Sequence, residues 1–282
     1  MEYKKDWTGF HFEVRDRYGV ITFDDPKTLN ALSYPLFADF NILMDQLYQD
    51  REVLGLILTG AGRSFVSGAN LKGMTTLTHE RYRDDKKYIH DTMTKLAEYE
   101  RPTIAAINGY ALGGGAELAL NCDIRIASTK AKIGFPEVKL GGMPAYTGPS
   151  RAVKILGPAV AKEMVLTGRN YTAQEAFDFR FVTKVVEPEA LMPTAEAMMK
   201  EIVSRAPVAV KMSKIMVDRA METSYQSSLE LERLIIQMLS ETEDWDEGMK
   251  AFAEKRDPVF HNCCAPRPAG RRQSDAKRGG AY

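Results

Sequence analysis

Cysteine and histidine are scarce in this chain, and each scarcity excludes something. The 282 residues include three cysteines, Cys122, Cys263 and Cys264. They show neither a metal-ligand spacing nor the even framework of a disulfide-stapled fold. The four histidines, at 11, 79, 90 and 261, are scattered, and none pairs at metal-ligand spacing. No metal site is therefore expected, and each histidine reads as a surface or capping residue. Charge of one sign is not in excess either. Lys and Arg number 38, Asp and Glu also 38, for a formal net charge of zero. Nothing here favours nucleic acid or an acidic membrane as a partner. No apolar run reaches the ~18–20 residues of a membrane span. The start, Met1-Glu2-Tyr3-Lys4-Lys5-Asp6-Trp7, carries acids and no signal-like apolar region. Together these absences point to a soluble protein of a reducing compartment, the cytoplasm.

Familiar catalytic fingerprints are missing too. The glycines at 109–115 have the wrong spacing for a dinucleotide turn. Gly60-Ala61-Gly62-Arg63-Ser64 lacks the lysine of a phosphate loop. Gly148-Pro149-Ser150-Arg151-Ala152 fails at the last glycine of a nucleophile elbow. Carboxylates and backbone N–H groups remain as chemical tools.

What is present is a hydrophobic content of 44%, enough for a sizeable core, and a regular alternation of elements. Residues 11–23 read as a hairpin of two short strands. Leu36, Phe37, Phe40, Leu43 and Met44 recur at helical spacing over 34–46, with Ser33 as cap. Residues 53–59 read as a buried strand, 60–68 as a loop, and 78–98 as a polar helix. Thr103 to Ile107 is a second buried strand, and residues 123–127 a third. Residues 134–137 and 141–144 read as loops, 148–178 as several helices, and 181–186 as a last strand. Strands alternating with helices make the class α/β. From about 189 the chain is helical, and Leu229 to Leu239 carries more apolar residues than one exposed helix needs. This divides the chain into a core over 1–190, a helical lobe over 191–260, and a Pro-, Gly- and Arg-rich tail over 261–282 expected to be disordered.

The centre of the pattern is Ile107-Asn108-Gly109-Tyr110-Ala111-Leu112-Gly113-Gly114-Gly115-Ala116-Glu117. A glycine turn there leads from a strand into a helix. Glycine lets the backbone approach a ligand closely, and the first N–H groups of a helix lack internal partners. Glu117 sits in the first turn. An anion-binding turn beside a carboxylate suits chemistry in which a carbonyl oxygen gains charge while a proton moves. From the glycines alone, a plain strand–helix packing turn with a surface glutamate is an equal reading.

Four segments resolve this by resemblance: 26–32 (Pro-Lys-Thr-Leu-Asn-Ala-Leu), 64–72 (Ser-Phe-Val-Ser-Gly-Ala-Asn-Leu-Lys), 107–123, and 134–141 (Gly-Phe-Pro-Glu-Val-Lys-Leu-Gly). With Phe252 to Phe260, in this order and spacing, the chain resembles the crotonase superfamily from about residue 11 to 260, and enoyl-CoA hydratases most closely. The resemblance implies a spiral of ββα units with a C-terminal helical trimerisation lobe, assembled as trimers or dimers of trimers. It implies an acyl thioester of coenzyme A as substrate and no permanently bound cofactor. It puts the oxyanion-binding N–H pair at Ala69 and Gly114 and the two catalytic carboxylates at Glu117 and Glu137. Lys27 and Lys72 would meet phosphates. Leu29, Ala31, Ser67, Asn70 and Leu71 would line the adenine and pantetheine, and Phe252 and Lys255 would reach the adenine end from a neighbouring subunit.

The implied reaction is addition of water across the trans-2 double bond of an enoyl-CoA, because both glutamates are present. Isomerisation, thioester hydrolysis or C–C cleavage on the same fold, and a non-catalytic scaffold, are the competing readings. The chain departs from the resemblance at two places. Asn70 stands where the family usually has Asp. Ala145, Tyr146 and Thr147 interrupt a segment that is usually glycine-rich, and Tyr146 adds bulk near the expected acyl pocket.

Overall fold

The computed structural model describes residues 2–75 and 78–261. The expected tail and the Cys263–Cys264 pair lie outside the described residues. The chain divides into two compact units between Val203 and Ser204.

The first unit opens with β1 (Phe10–Arg15) and β2 (Tyr18–Phe23), antiparallel partners across a two-residue turn. Helix α1 (Tyr34–Gln49) follows, and Ser33 caps it by accepting from Leu36 N–H. Then come β3 (Leu56–Gly60), β4 (Ser64–Val66), α2 (Leu71–Met74) and α3 (His79–Ala97). The glycine stretch supplies β5 (Thr103–Ile107), β6 (Tyr110–Leu112) and α4 (Gly114–Leu120). A further pass gives β7 (Ile124–Ser128), β8 (Lys132–Gly134) and a 3-10 turn, Pro136–Leu140. Helices α5 (Gly148–Leu156) and α6 (Pro158–Thr167), strand β9 (Asn170–Thr172), α7 (Ala173–Asp178), β10 (Lys184–Val186) and α8 (Leu191–Val203) complete the unit.

Two sheets result among the described residues, in the orders β1-β2-β3-β5-β7-β10 and β4-β6-β8-β9. The pairs β3–β4, β5–β6 and β7–β8 each place one strand in the larger sheet and the next in the smaller. Apart from the antiparallel β1 and β9 edges the pairing is parallel. This is a spiral of repeated passes, each ending in a helix or turn.

Side-chain alternation explains why the larger sheet is covered on both faces. Leu56, Leu58, Ala105 and Ile107 join the core with α1, whereas Ile57, Ile104 and Ala106 join a second core with α8. Helix α8 contributes Leu191, Ala195, Met199 and Val203, one side chain every four residues on one stripe. Burial of Leu191, Met199 and Val203 contributes about 1.5–3 kcal/mol each. The dividing point falls at 203 and not at 190 for this reason: α8 is the lid of the sheet's outer face.

Four short elements depart from the sequence reading. The expected loop 60–68 contains β4, the glycine turn contains β6, β8 ends on Gly134 inside an expected loop, and the expected helical stretch 148–178 contains β9. Three-residue strands are too short to show a period of two, and they exist because each finds a partner in the smaller sheet. The expected loop at 134–137 also runs into the 3-10 turn.

The second unit contains α9 (Pro207–Ala220), α10 (Tyr225–Leu239) and α11 (Glu243–Glu254). Helices α9 and α10 border an apolar groove of about 470 Å³, lined by Met212, Met216, Val217, Ile235, Ile236 and Leu239 among others. Leu234, Ile236 and Met238 of α10 are exposed. Among the described residues, no helix is long and apolar enough to cross a membrane.

Candidate active site

Gly113 and Gly114 form the floor of the site. Gly113 adopts φ +51° and its N–H donates to Gly134 O at 2.8 Å. A Cβ on Gly113 would lie 2.6 Å from Glu137 Oε1, and a Cβ on Gly114 would lie 3.0 Å from a ring carbon of Tyr146 and 3.1 Å from Leu32 Cδ1. Glycine is required at 113 for both reasons, since L side chains avoid positive φ and there is no room. Gly114 is the first residue of α4, so its N–H has no partner within the helix.

The second expected N–H, that of Ala69, is aimed by its neighbours. Leu32 forms an isolated parallel bridge with Ala69. Its N–H donates to Gly68 O and its carbonyl accepts from Asn70 N–H, both at 2.8 Å. The two peptide groups flanking Ala69 are thereby used, and the Ala69 N–H faces the opposite side. The segment opposite is held by Asn30, a fully buried residue at φ +61°. Its amide donates to Ala61, Ser64 and Phe65 carbonyls and accepts from Asp25 N–H. Leu32 therefore touches both N–H-bearing residues, Ala69 by its backbone and Gly114 by its side chain.

Glu117 is 1% exposed. Its Oε1 accepts from the N–H groups of Tyr146 and Gly148, each at 2.7 Å. Burial pushes its pKa up to about 7; the two N–H donors and Lys86 oppose that rise, and Glu137 adds to it. Glu137, at the start of the 3-10 turn, is also raised by burial, with Lys86 opposing. Its Oε2 is buried and, among the described residues, has no hydrogen-bond partner. Two carboxyls with different partners beside one glycine turn can share a single proton, one ionised and the other neutral.

Beside the turn lies a cavity of about 420 Å³, lined by Leu32, Ala69, Met74, Lys86, Ile89 and Tyr146 among others. Tyr146 is buried at its wall, edge-on to Phe37 at 5.9 Å, with Lys86 Nζ 4.2 Å from its ring centroid. Tyr146 thus does two things: its ring narrows the cavity and its N–H holds Glu117.

The remaining expected residues are spread more widely. Ser67 N–H donates to Leu29 O and its hydroxyl to Thr28 O, both at 3.1 Å, which ties 28–32 to 67–70 alongside Ala31. Asn70 caps α2 by accepting from Gly73 N–H at 3.2 Å. An Asn does this as well as the Asp usual in the family. Lys27, Leu71 and Lys72 are exposed. Phe252, 83% exposed, and Lys255 belong to the second unit. The sequence reading missed Lys86 and Asn121. Lys86 is one of several charges on α3 with no motif to distinguish it. Asn121 had a signal, standing one helical turn after Glu117 on the same face.

Comparison with known proteins agrees with this geometry. A family described as enoyl-CoA hydratase/isomerase matches residues 15–263. A probable mitochondrial enoyl-CoA hydratase of Dictyostelium discoideum is 41% identical, over 89% of this chain and 90% of that protein. A short-chain-enoyl-CoA hydratase of Clostridium acetobutylicum is also 41% identical, over 86% of this chain and 94% of its own length. The crystal structure of an enoyl-CoA hydratase from Bacillus anthracis superposes with a TM-score of 0.89 at 32% identity, covering 91% of this chain and 100% of that one. On its motifs, its spiral of two sheets and these matches, the chain belongs to the enoyl-CoA hydratase/isomerase family.

Proposed function

We propose that this enzyme adds water across the trans-2 double bond of an enoyl-CoA thioester to give the 3-hydroxyacyl-CoA. The observation that carries the reading is the pair of carboxyls beside one glycine turn: half-buried Glu137 against Gly113, and fully buried Glu117 held by the 146–148 segment. The thioester oxygen lies between the N–H groups of Ala69 and Gly114, which stabilise the enolate-like charge as it develops. Glu117 is the base. One of its oxygens is committed to two N–H donors that favour the ionised form, and the other orients a water and takes its proton as oxygen bonds to Cβ. Glu137 is the acid. Its buried Oε2, without a hydrogen-bond partner among the described residues, favours the neutral form, and it delivers a proton to Cα. The next turnover begins once the proton on Glu117 has returned to Glu137.

The coenzyme is part of the substrate. Lys27 and Lys72 meet its phosphates as point charges, while Leu29, Ala31, Ser67, Asn70 and Leu71 line its adenine and pantetheine. Tyr146 walls the acyl end. Phe252 and Lys255 reach the adenine end of a neighbouring subunit's site in a homotrimer or a dimer of trimers. The exposed apolar side chains of α10 support that assembly. The reading further divides the chain into a catalytic core, a helical oligomerisation lobe and a tail, working in the cytoplasm.

The test is a panel of crotonyl, longer and aromatic enoyl thioesters followed by mass spectrometry, with Glu117→Gln and Glu137→Gln alongside. Gain of one water is expected, and each variant should lose ~10²–10⁴-fold in turnover, the range of general acid–base catalysis. Release of free coenzyme A, or a moved double bond with no gain in mass, would replace hydration by hydrolysis or isomerisation.

A further inference from the structure

Thr147 sits at φ +82°, a left-handed conformation that a β-branched residue rarely adopts. It stands where the resemblance leads one to expect glycine, which takes that conformation freely. Its neighbours on either side, Tyr146 and Gly148, are the two residues whose N–H groups donate to Glu117 Oε1. Both donors reach one oxygen because the chain turns at 147.

The turn is held from the catalytic helix itself. Asn121, four residues beyond Glu117 at the C-cap of α4, donates from Nδ2 to Thr147 Oγ1 at 2.9 Å, and Thr147 Oγ1 donates to Asn121 Oδ1 at 3.0 Å. The same Nδ2 also donates to Glu117 O at 3.0 Å, which fixes the amide to the backbone of the residue it serves. Asn121 is fully buried. Its amide thus links the main chain of Glu117 to the residue between the two donors that hold the Glu117 side chain.

We propose that Asn121 and Thr147 form a positioning pair that substitutes for glycine flexibility: their side-chain hydrogen bonds hold residue 147 in the left-handed conformation and so keep the Tyr146 and Gly148 N–H groups on Glu117 Oε1. The pair leaves one carboxylate oxygen occupied and the other available for water, and it thereby sets the proton affinity of the general base. This deepens the hydratase reading and rests on it for the word base; the geometry of the clamp stands without it. The charged groups that bear on Glu117 are Glu137 of the 3-10 turn and Lys86 of α3; Arg151 of α5 adjoins the turn, its N–H donating to Thr147 O and its Nε to Leu120 O. All three are unchanged in every variant compared below.

The experiment is a double-mutant cycle on the full chain: wild type, Asn121→Ala, Thr147→Gly and the double variant. Two readouts are taken. The first is an infrared titration of the Glu117 carboxyl, identified by subtracting the spectrum of Glu117→Gln. It reports the clamp whether or not an enoyl thioester is turned over. The second is the pH profile of kcat and KM for crotonyl-CoA. Losing the clamp removes donors that favour the ionised form, so the Glu117 pKa rises and the acid limb moves to higher pH. Asn121→Ala alone should raise the pKa by about one pH unit, a tenfold change in proton affinity. It should lower kcat about tenfold or more while leaving KM nearly unchanged. In the Thr147→Gly background, where the turn needs no side-chain support, Asn121→Ala should move neither the pKa nor the profile. Thermal unfolding of all four proteins verifies folding. Equal effects of Asn121→Ala in both backgrounds would show that Asn121 supports α4 in general and would overturn the proposal, as would an unmoved Glu117 titration in Asn121→Ala. An absence of turnover in the wild type with a shifted titration would count against hydration while upholding the clamp.

Discussion

Glu117→Gln should make this protein more stable at alkaline pH while it lowers turnover by ~10²–10⁴-fold. Glu117 is 1% exposed, and burial raises its pKa from the ordinary 4.5 to about 7. In the unfolded chain the same group titrates near its ordinary value. Between those two values the folded state binds the proton and the unfolded state does not, so stability falls as pH rises. Below 4.5 both states are protonated and the group contributes nothing; above 7 both are ionised and the whole cost is present. At ~1.4 kcal/mol per pH unit, the gap corresponds to about 3 kcal/mol of destabilisation of the wild type at pH 8.5. Near-complete burial leaves little solvent screening to reduce it. Glutamine keeps the oxygen that accepts from Tyr146 and Gly148 N–H and carries no charge to desolvate. Denaturant unfolding of both proteins at intervals from pH 4.5 to 8.5 should show a difference that is small at the acid end and grows to about 3 kcal/mol. In melting temperature that is roughly 6–12 °C for a chain of this size. A gap that is the same at every pH, or a Glu117→Gln protein less stable than wild type at pH 8.5, would refute the claim that an ionised Glu117 strains the fold.

Gly113→Ala should fold but lose turnover by about 10²-fold, because its Cβ would meet Glu137 Oε1 at 2.6 Å and its φ is +51°; wild-type-like activity in a protein with native near-ultraviolet dichroism would remove Glu137 from the mechanism. Tyr146→Ala should enlarge the cavity of about 420 Å³ and raise kcat/KM for a longer enoyl thioester relative to crotonyl-CoA by about tenfold or more. An unchanged ratio would mean that the ring does not face the acyl chain. Sedimentation at micromolar concentration should show trimers or hexamers, given the exposed Leu234, Ile236 and Met238; a lone 31.6 kDa species would reject the assembly.

The sequence alone determined the α/β class, the family and the order of the main elements. The continuous apolar run of Thr103 to Ile107 and the helical period of Tyr34 to Gln49 are both patterns between near neighbours. The crotonase-like resemblance singled out Glu117, Glu137, Gly114 and Ala69 through motifs of contiguous residues. What the tertiary structure decided is everything that depends on residues distant in sequence. The smaller sheet is built from strands of three residues that no local pattern marks. Lys86 gains its importance only because α3 brings it over Tyr146, 60 positions away. Thr147 read as a departure from a glycine-rich pattern; the fold shows the compensation, an Asn121 amide 26 residues earlier. Periodicity and motif report forces between near neighbours. The proton affinity of a buried carboxyl depends on what surrounds it in space, and that is settled only when the chain has closed.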